Sequence, residues 1–137
     1  MLRVFRSISI LFMMLSAGCA GSLAVRDAAI QPDALSVGQE ALLTVTFTRK
    51  ADQIASVVAY VREAQEMTFG LVNDGTYGDE TAGDDTWSLS VPVPPDAPAG
   101  TYHLDILAKD ADGQTVFRQD ALDDTSYYSA SVALVVR

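Results

Sequence analysis

Four stretches of this chain alternate apolar and polar side chains with a period of two, and this alternation limits the fold more than any other feature. In residues 41–48, ALLTVTFT, the apolar face consists of Ala41, Leu43, Val45 and Phe47. Three later stretches repeat the pattern, residues 86–93, 102–108 and 128–136. Successive side chains of a strand point to opposite faces of its sheet. Each stretch therefore predicts a strand that buries one face.

A strand that buries one face needs a second layer to cover that face, so two packed sheets follow from the pattern. Turn residues recur every eight to twelve positions between the strands, as in an all-β sandwich. Residues 54–62, IASVVAYVR, place apolar residues on both faces and predict a strand inside a sheet. A short helix within residues 51–67 is an alternative, because that segment has few residues that break helices.

The chain begins with a segment typical of export signals. Arg3 and Arg6 precede an apolar run from Ile8 to Leu15, which is too short for the about 20 residues that a membrane span needs. Small residues then lead to Cys19, the only cysteine of the chain. We expect residues 1–18 to be a cleaved signal peptide, residues 19–22 a tether and residues 23–137 a single domain.

The end of this signal resembles the lipobox of bacterial lipoproteins. The matching residues are Leu15, Ser16, Ala17, Gly18 and Cys19. The resemblance implies cleavage before Cys19, lipidation of its thiol and a mature protein anchored to a membrane, with residues 15–18 recognised by the signal peptidase. It departs from the family pattern at Ser16, where a large aliphatic residue is usual. Ala20 in place of Asp favours the outer membrane in a cell with two membranes.

The charge of the chain argues against two classes of partner. Without residues 1–18, 18 acidic and seven basic side chains remain, so the formal charge changes from −9 to −11. Proteins that bind nucleic acid need a basic surface for the phosphates, so this class is not expected. Anionic lipid headgroups would also be repelled, so the lipid on Cys19 would hold the protein to the membrane.

A long segment of the domain resembles the immunoglobulin-like modules of bacterial surface and secreted proteins. Residues 71–113 contain a loop rich in Asp and Gly, DGTYGDETAGDD, then a strand that starts with Thr86 and Trp87, a proline-rich loop and the element Gly100-Thr101-Tyr102. The resemblance implies a sandwich of about seven antiparallel strands without catalytic residues. Tyr102 also stands where such folds place a tyrosine whose hydroxyl bonds to the backbone of the preceding loop.

The acidic loop raises the question of a metal site. Oxygen ligands for Ca²⁺ could come from Asn73, Asp74, Asp79, Glu80, Asp84 and Asp85. Their spacing does not match the twelve-residue calcium-binding loop of helix-loop-helix proteins. The same residues also suit tight turns, because Gly75, Gly78 and Gly83 allow positive φ and Asp or Asn side chains accept bonds from nearby amides. We favour structural turns, with a Ca²⁺ site as the alternative.

Catalytic chemistry is not expected from the remaining residues. His103 is the only histidine, and its parity places it on the face opposite Tyr102 and Leu104. One histidine and no free cysteine do not form a zinc site, and an exposed acidic loop offers no shielded carboxylate pair. Tyr127 and Tyr128 are candidate binding aromatics, although one ring is expected to pack against the edge of the sandwich.

The sequence therefore predicts a non-enzymatic lipoprotein of the cell envelope. Its immunoglobulin-like domain would act as an interaction or accessory module with a protein or glycan partner. The alternative is a calcium-dependent adhesion or carbohydrate-binding module that uses residues 73–85. No cofactor is expected apart from the covalent lipid on Cys19 and, in the alternative, Ca²⁺.

Overall fold

The computed structural model describes residues 23–48, 53–118 and 127–137. Within these ranges the chain is all-β, and no helix is long and apolar enough to cross a membrane. The strands in chain order are β1 Val25–Gln31, β2 Ala34–Leu35, β3 Glu40–Phe47, β4 Ile54–Val61, β5 Ala64–Gly70, β6 Thr86–Pro92, β7 Gly100–Asp110 and β8 Ala130–Val136. The lipobox residues and the signal peptide lie outside these ranges.

The strands form two sheets. The smaller sheet has the order β1-β3-β6 and the larger one the order β2-β8-β7-β4-β5. All pairs are antiparallel except the short pair β2–β8, which is parallel. Only the connections β4–β5 and β7–β8 stay within one sheet, and every other connection between the described strands crosses to the opposite sheet. The two layers are therefore linked by the chain at many points.

The core lies between the two sheets, as the alternation predicted. Ala41, Leu43, Val45 and Phe47 of β3 are at most 1 % exposed. The larger sheet contributes Val57, Leu104 and Leu134 among others, all buried against them. The two-layer, all-β prediction is confirmed, and it follows from side chains whose apolar face has the strand period.

Residues 54–62 form a strand inside the larger sheet, and the helical alternative is wrong. β4 pairs with β7 on one side and with β5 on the other. Val57, Ala59 and Val61 face the core, while Val58 and Tyr60 are half-buried on the outer face. Apolar residues on both faces suit a strand with a neighbour on each side.

The described strands number eight, where the sequence predicted about seven. One reason is β2, a two-residue strand, Ala34–Leu35, that pairs with the last residues of β8. A second is β5, whose pairing with β4 is shifted by a bulge between Tyr60 and Val61. A two-residue strand and a bulged strand have too few regular positions for alternation to reveal them.

Candidate binding site

The acidic loop covers the outer edge of β6. Val72 and Ser88 exchange two backbone hydrogen bonds, with N to O distances of 3.0 and 2.9 Å. Two residues along, the Ser90 N–H donates to the Tyr77 carbonyl at 2.7 Å. Gly78 packs so closely above the smaller sheet that a Cβ there would lie 2.8 Å from Leu42 Cδ1. The loop therefore satisfies backbone groups that a strand edge would otherwise leave exposed.

The carboxylates of this loop accept bonds from its own backbone. Asp79, only 5 % exposed, accepts from the Gly75 N–H at 2.8 Å. The Asp84 carboxylate accepts from the Thr86 N–H at 2.9 Å, and the Asp74 carboxylate accepts from the N–H and the hydroxyl of Thr76. Those Thr76 bonds hold the pKa of Asp74 below its ordinary value. Each of these acids thus serves a turn in the manner expected of Asp side chains.

Asn73 and Asp85 of the loop also have partners, while Glu80 is exposed. The Asn73 side chain donates to the Asp84 carbonyl at 2.8 Å and accepts from the Gly83 N–H at 3.1 Å. The Asp85 carboxylate lies 3.4 Å from the Arg26 guanidinium, but both side chains are substantially exposed, so this ion pair adds little stability. In the part of the chain that the structure describes, no three His, Cys, Asp or Glu side chains are grouped to hold a metal ion.

A second polar cluster lies on the outer face of the larger sheet. Asp105 of β7 is only 4 % exposed, and its two oxygens accept from Arg62 Nε at 3.0 Å and Nη2 at 2.7 Å. The Ser131 hydroxyl of β8 also donates to the Asp105 carboxylate. The Arg62 bonds, aided by Ser131, hold the pKa of Asp105 below its usual range. Together, Arg62 after β4, Asp105 of β7 and Ser131 of β8 link three neighbouring strands.

His103 lies on the outer face, as its parity predicted, and bonds to Glu63. Its Nδ1 is 2.6 Å from the Glu63 carboxylate, and its backbone N–H donates to the same group at 2.9 Å. These two bonds hold the pKa of Glu63 below its ordinary value. The pair links the turn after β4 to β7.

Three tyrosines and an arginine form an exposed patch beside this cluster. We call Tyr60, Arg62, Tyr127 and Tyr128 the tyrosine patch. The rings of Tyr60 and Tyr128 are 6.1 Å apart, and Tyr127 meets Tyr128 edge to face at 5.2 Å. Tyr127 is 70 % exposed, whereas Tyr128 is partly buried. One ring thus packs on the sheet and the other projects into solvent.

Sequence reasoning identified only part of this patch. Tyr127 and Tyr128 were candidates as adjacent aromatics, and the structure brings them together with Tyr60, which the sequence placed only as a strand residue. The cluster of Arg62, Asp105 and Ser131 was not predicted. Its only sequence signal was an acidic residue inside a long apolar strand, LDILA, which in a sheet needs a charged partner.

Comparison with known proteins does not place the chain in a family. No protein-family model matches it, and no curated protein matches it. Similar solved structures include a Pseudomonas fluorescens alkylpurine DNA glycosylase bound to DNA with an abasic-site analogue, at 12 % identity and a TM-score of 0.48. That match covers 84 % of this chain, which spans only 30 % of the glycosylase. A Niemann-Pick type C2 protein from Japanese carpenter ant is similar at 8 % identity and a TM-score of 0.46, with 86 % of this chain and 96 % of that one covered.

Proposed function

We propose that this protein is a lipid-anchored envelope protein whose immunoglobulin-like domain binds a protein partner through the tyrosine patch. The observation that carries the proposal is the exposure of Tyr127, which stands on Tyr128 beside the Arg62 guanidinium. Tyrosine and arginine dominate the energetics of protein interfaces. A large exposed ring that packs on a partly buried one gains apolar burial when a partner covers it.

Two features support the immunoglobulin-like assignment of the sandwich. The order β1-β3-β6 opposite β8-β7-β4 matches strands A-B-E opposite G-F-C of that fold. The Tyr102 hydroxyl donates to the Pro98 carbonyl at 2.6 Å, the bond characteristic of the tyrosine corner at the start of strand F. In this scheme the acidic loop occupies the position of strand D, beside β6.

The proposed module is not an enzyme. Its buried carboxylate, Asp105, is neutralised by Arg62, and its histidine is paired with the partly exposed Glu63. A general acid or base needs a pKa near the working pH, while the bonds on Asp105 and Glu63 move both pKa values away from it. These groups support the sheet beneath the tyrosine patch.

The membrane anchor of the proposal rests on the resemblance of residues 15–19 to a lipobox. Ala20, in place of Asp, favours the outer membrane in a cell with two membranes. Mass spectrometry of the mature protein from the membrane fraction should find a lipidated Cys19 at the N-terminus. A mature N-terminus elsewhere, or a Cys19→Ser variant that stays in the membrane fraction, would contradict the anchor but leave the patch proposal open.

The partner is tested by photocrosslinking in native membranes. A photoreactive phenylalanine analogue replaces Tyr127 in one variant and Tyr77 in a matched control. Tyr77 is 72 % exposed but lies on the acidic loop, beside the other sheet. We expect the Tyr127 variant, and not the Tyr77 variant, to yield a discrete crosslinked protein. Equal crosslinking from both positions, or none from position 127, would contradict the proposed surface.

A further inference from the structure

An apolar groove opens between the two sheets at the end where β4 turns into β5. Met67 and Phe69 of β5 form one wall, and Val93 with Pro98 beyond β6 forms the other. Leu104 and Leu134, both buried, line its base. The volume is about 400 Å³. Ligand pockets in proteins range from about 300 to 1,000 Å³, so the groove has the size of a site for a small molecule.

The groove exists because the sheets differ in width. The larger sheet has five strands and the smaller has three, so β5 extends past β6 at this end and its inner face is only partly covered. Met67 lies two residues before Phe69, so both side chains point to the inner face of β5 and line the groove. Methionine adapts its shape to varied ligands.

The charge at the opening selects among apolar ligands. The acidic residues that line the groove are Glu63 and Asp96, and among the described residues that line it none is basic. The His103 bonds hold the pKa of Glu63 low, so this carboxylate stays ionised at neutral pH. Fatty acids and other anionic amphiphiles would meet this negative charge, while a cationic group would be attracted to it.

We infer that the groove between Met67 and Val93 is a binding site for a small amphiphilic molecule with an apolar body and a cationic end. A volume of about 400 Å³ holds roughly a dozen groups the size of a water or methylene, at about 30 Å³ each. An alkylamine of about ten carbons fits this description. Its chain would replace empty apolar space, and its ammonium group would lie between Glu63 and Asp96 at the opening.

This site is separate from the tyrosine patch, which lies on the outer face of the larger sheet. It also lies far from the start of the described domain. Leu23 precedes Val25, which pairs with Phe47 at one end of β3, whereas Glu40 at the other end pairs with Pro92 beside the groove. Eight residues of β3 separate these ends by about 25 Å. In the anchored protein the opening would therefore face away from the attachment point.

The test follows the Met67 methyl group by NMR, in mature protein with ¹³C-methyl methionine, held in lipid nanodiscs. Decylamine is the cationic probe, with decanoate and decanol as the anionic and neutral probes of equal chain length. Empty nanodiscs correct the free concentration of each probe. We expect a saturable shift of the Met67 signal with decylamine, weaker binding of decanol and no saturable shift with decanoate.

Two sets of variants locate the binding. The Glu63→Gln, Asp96→Asn double variant should weaken decylamine binding about fivefold to tenfold, while Asp112→Asn on the distant β7 hairpin turn should not change it. Ala97→Trp should abolish binding by filling the groove, and Ala64→Trp serves as a second blocking variant if the first fails to fold. Thermal unfolding checks the fold of each.

Four outcomes would overturn the inference. These are no saturable shift with any probe, equal binding of decanoate, equal binding by the double variant, and binding that survives in a folded groove-blocking variant. Tighter binding of a ten-residue peptide of alternating lysine and valine would assign the groove to a protein segment instead. None of these results bears on crosslinking at position 127, so the two proposals fail independently.

Discussion

The acidic loop and the apolar groove both adjoin β6, and they differ in how their side chains are used. In the loop, residues 73–85, four polar side chains bond inward to backbone groups of the same segment or of Thr86 at the start of β6; these are Asn73, Asp74, Asp79 and Asp84. In the groove, apolar side chains from separate strands line a space that nothing described in the chain fills. Most polar side chains of the loop already have hydrogen-bond partners, whereas the apolar side chains of the groove still have surface that a ligand could cover.

Side chains that are able to bind a metal ion do not by themselves make a metal site. Five acids in thirteen residues suggest metal binding. Yet the carboxylates of Asp74, Asp79 and Asp84 accept hydrogen bonds from amides two or four residues away. Valine, proline and methionine suggest only core packing. Yet apolar side chains that line an open groove are typical of sites that bind small molecules. Four predictions test this contrast.

Truncation of apolar residues should separate the groove from the closed core. Leu43→Ala, at a position with no exposure, should lower the free energy of unfolding by about 2–5 kcal/mol because it leaves a cavity. Met67→Ala should cost about 1 kcal/mol or less, because its side chain already borders open space. Urea unfolding measures both. Equal losses would mean that the groove is packed like the core.

Truncation of a loop acid should cost more than truncation of the groove methionine. Asp79→Ala removes the buried carboxylate that accepts from the Gly75 N–H and should lower stability by about 1–3 kcal/mol. Asp79→Asn keeps an oxygen acceptor and should cost less than about 1 kcal/mol, and Glu80→Gln at an exposed position should stay within about 0.5 kcal/mol. If Asp79→Ala is neutral, the loop is not held by its own carboxylates.

The close approach of the loop to β3 can be measured at Gly78. Gly78→Ala should cost about 1–2 kcal/mol from its φ of +95°, with a further loss from contact with Leu42 Cδ1. Gly113→Ala is the matched control, because its φ is +78° and a Cβ there meets nothing within 4 Å. The difference between the two variants isolates the contact, and Leu42→Ala should remove that difference. A Gly78 cost no larger than that of Gly113 would show that the loop stands away from the sheet.

Calcium should have the smallest effect. The Asp74, Asp79 and Asp84 carboxylates already accept hydrogen bonds, so binding of Ca²⁺ would have to replace bonds that hold the loop. We expect Ca²⁺ to raise the melting temperature no more than an equal concentration of Mg²⁺. A larger rise with Ca²⁺ than with Mg²⁺ would establish the calcium-dependent alternative, because a ligand that binds only the folded state stabilises it.

The sequence predicted the parts of the fold that depend on regular alternation. β3 was predicted to the correct face because four apolar residues, Ala41 to Phe47, alternate with residues that face outward. The resemblance to immunoglobulin-like modules also predicted a bond from the Tyr102 hydroxyl to the backbone of the preceding loop, and the acceptor is the Pro98 carbonyl. β2 and the bulged β5 were not predicted as strands, because short or irregular pairing leaves no periodic signal.

The sites were predicted less well than the fold, for a different physical reason. The tyrosine patch joins residues 60–62 to residues 127–128, and the groove joins segments as distant as Met67 and Leu134. Such convergence depends on the order of strands in the sheets, which alternation does not specify. Tyr127 and Tyr128 were recognisable only because they are adjacent in the chain.

The covered edge of β6 has a consequence for neighbouring molecules. Proteins tethered to one membrane by the same residue share an orientation and a high local concentration, so their sheet edges would stand at equal heights. Two exposed strand edges at the same distance from the membrane could pair and extend the sheet from one molecule to the next. Val72 and Tyr77 form hydrogen bonds with backbone groups on the edge of β6. Glu66 adds a charge to β5, whose pairing is interrupted by a bulge. If the proposed anchor holds, these two features would disfavour pairing between neighbouring molecules through β5 and β6.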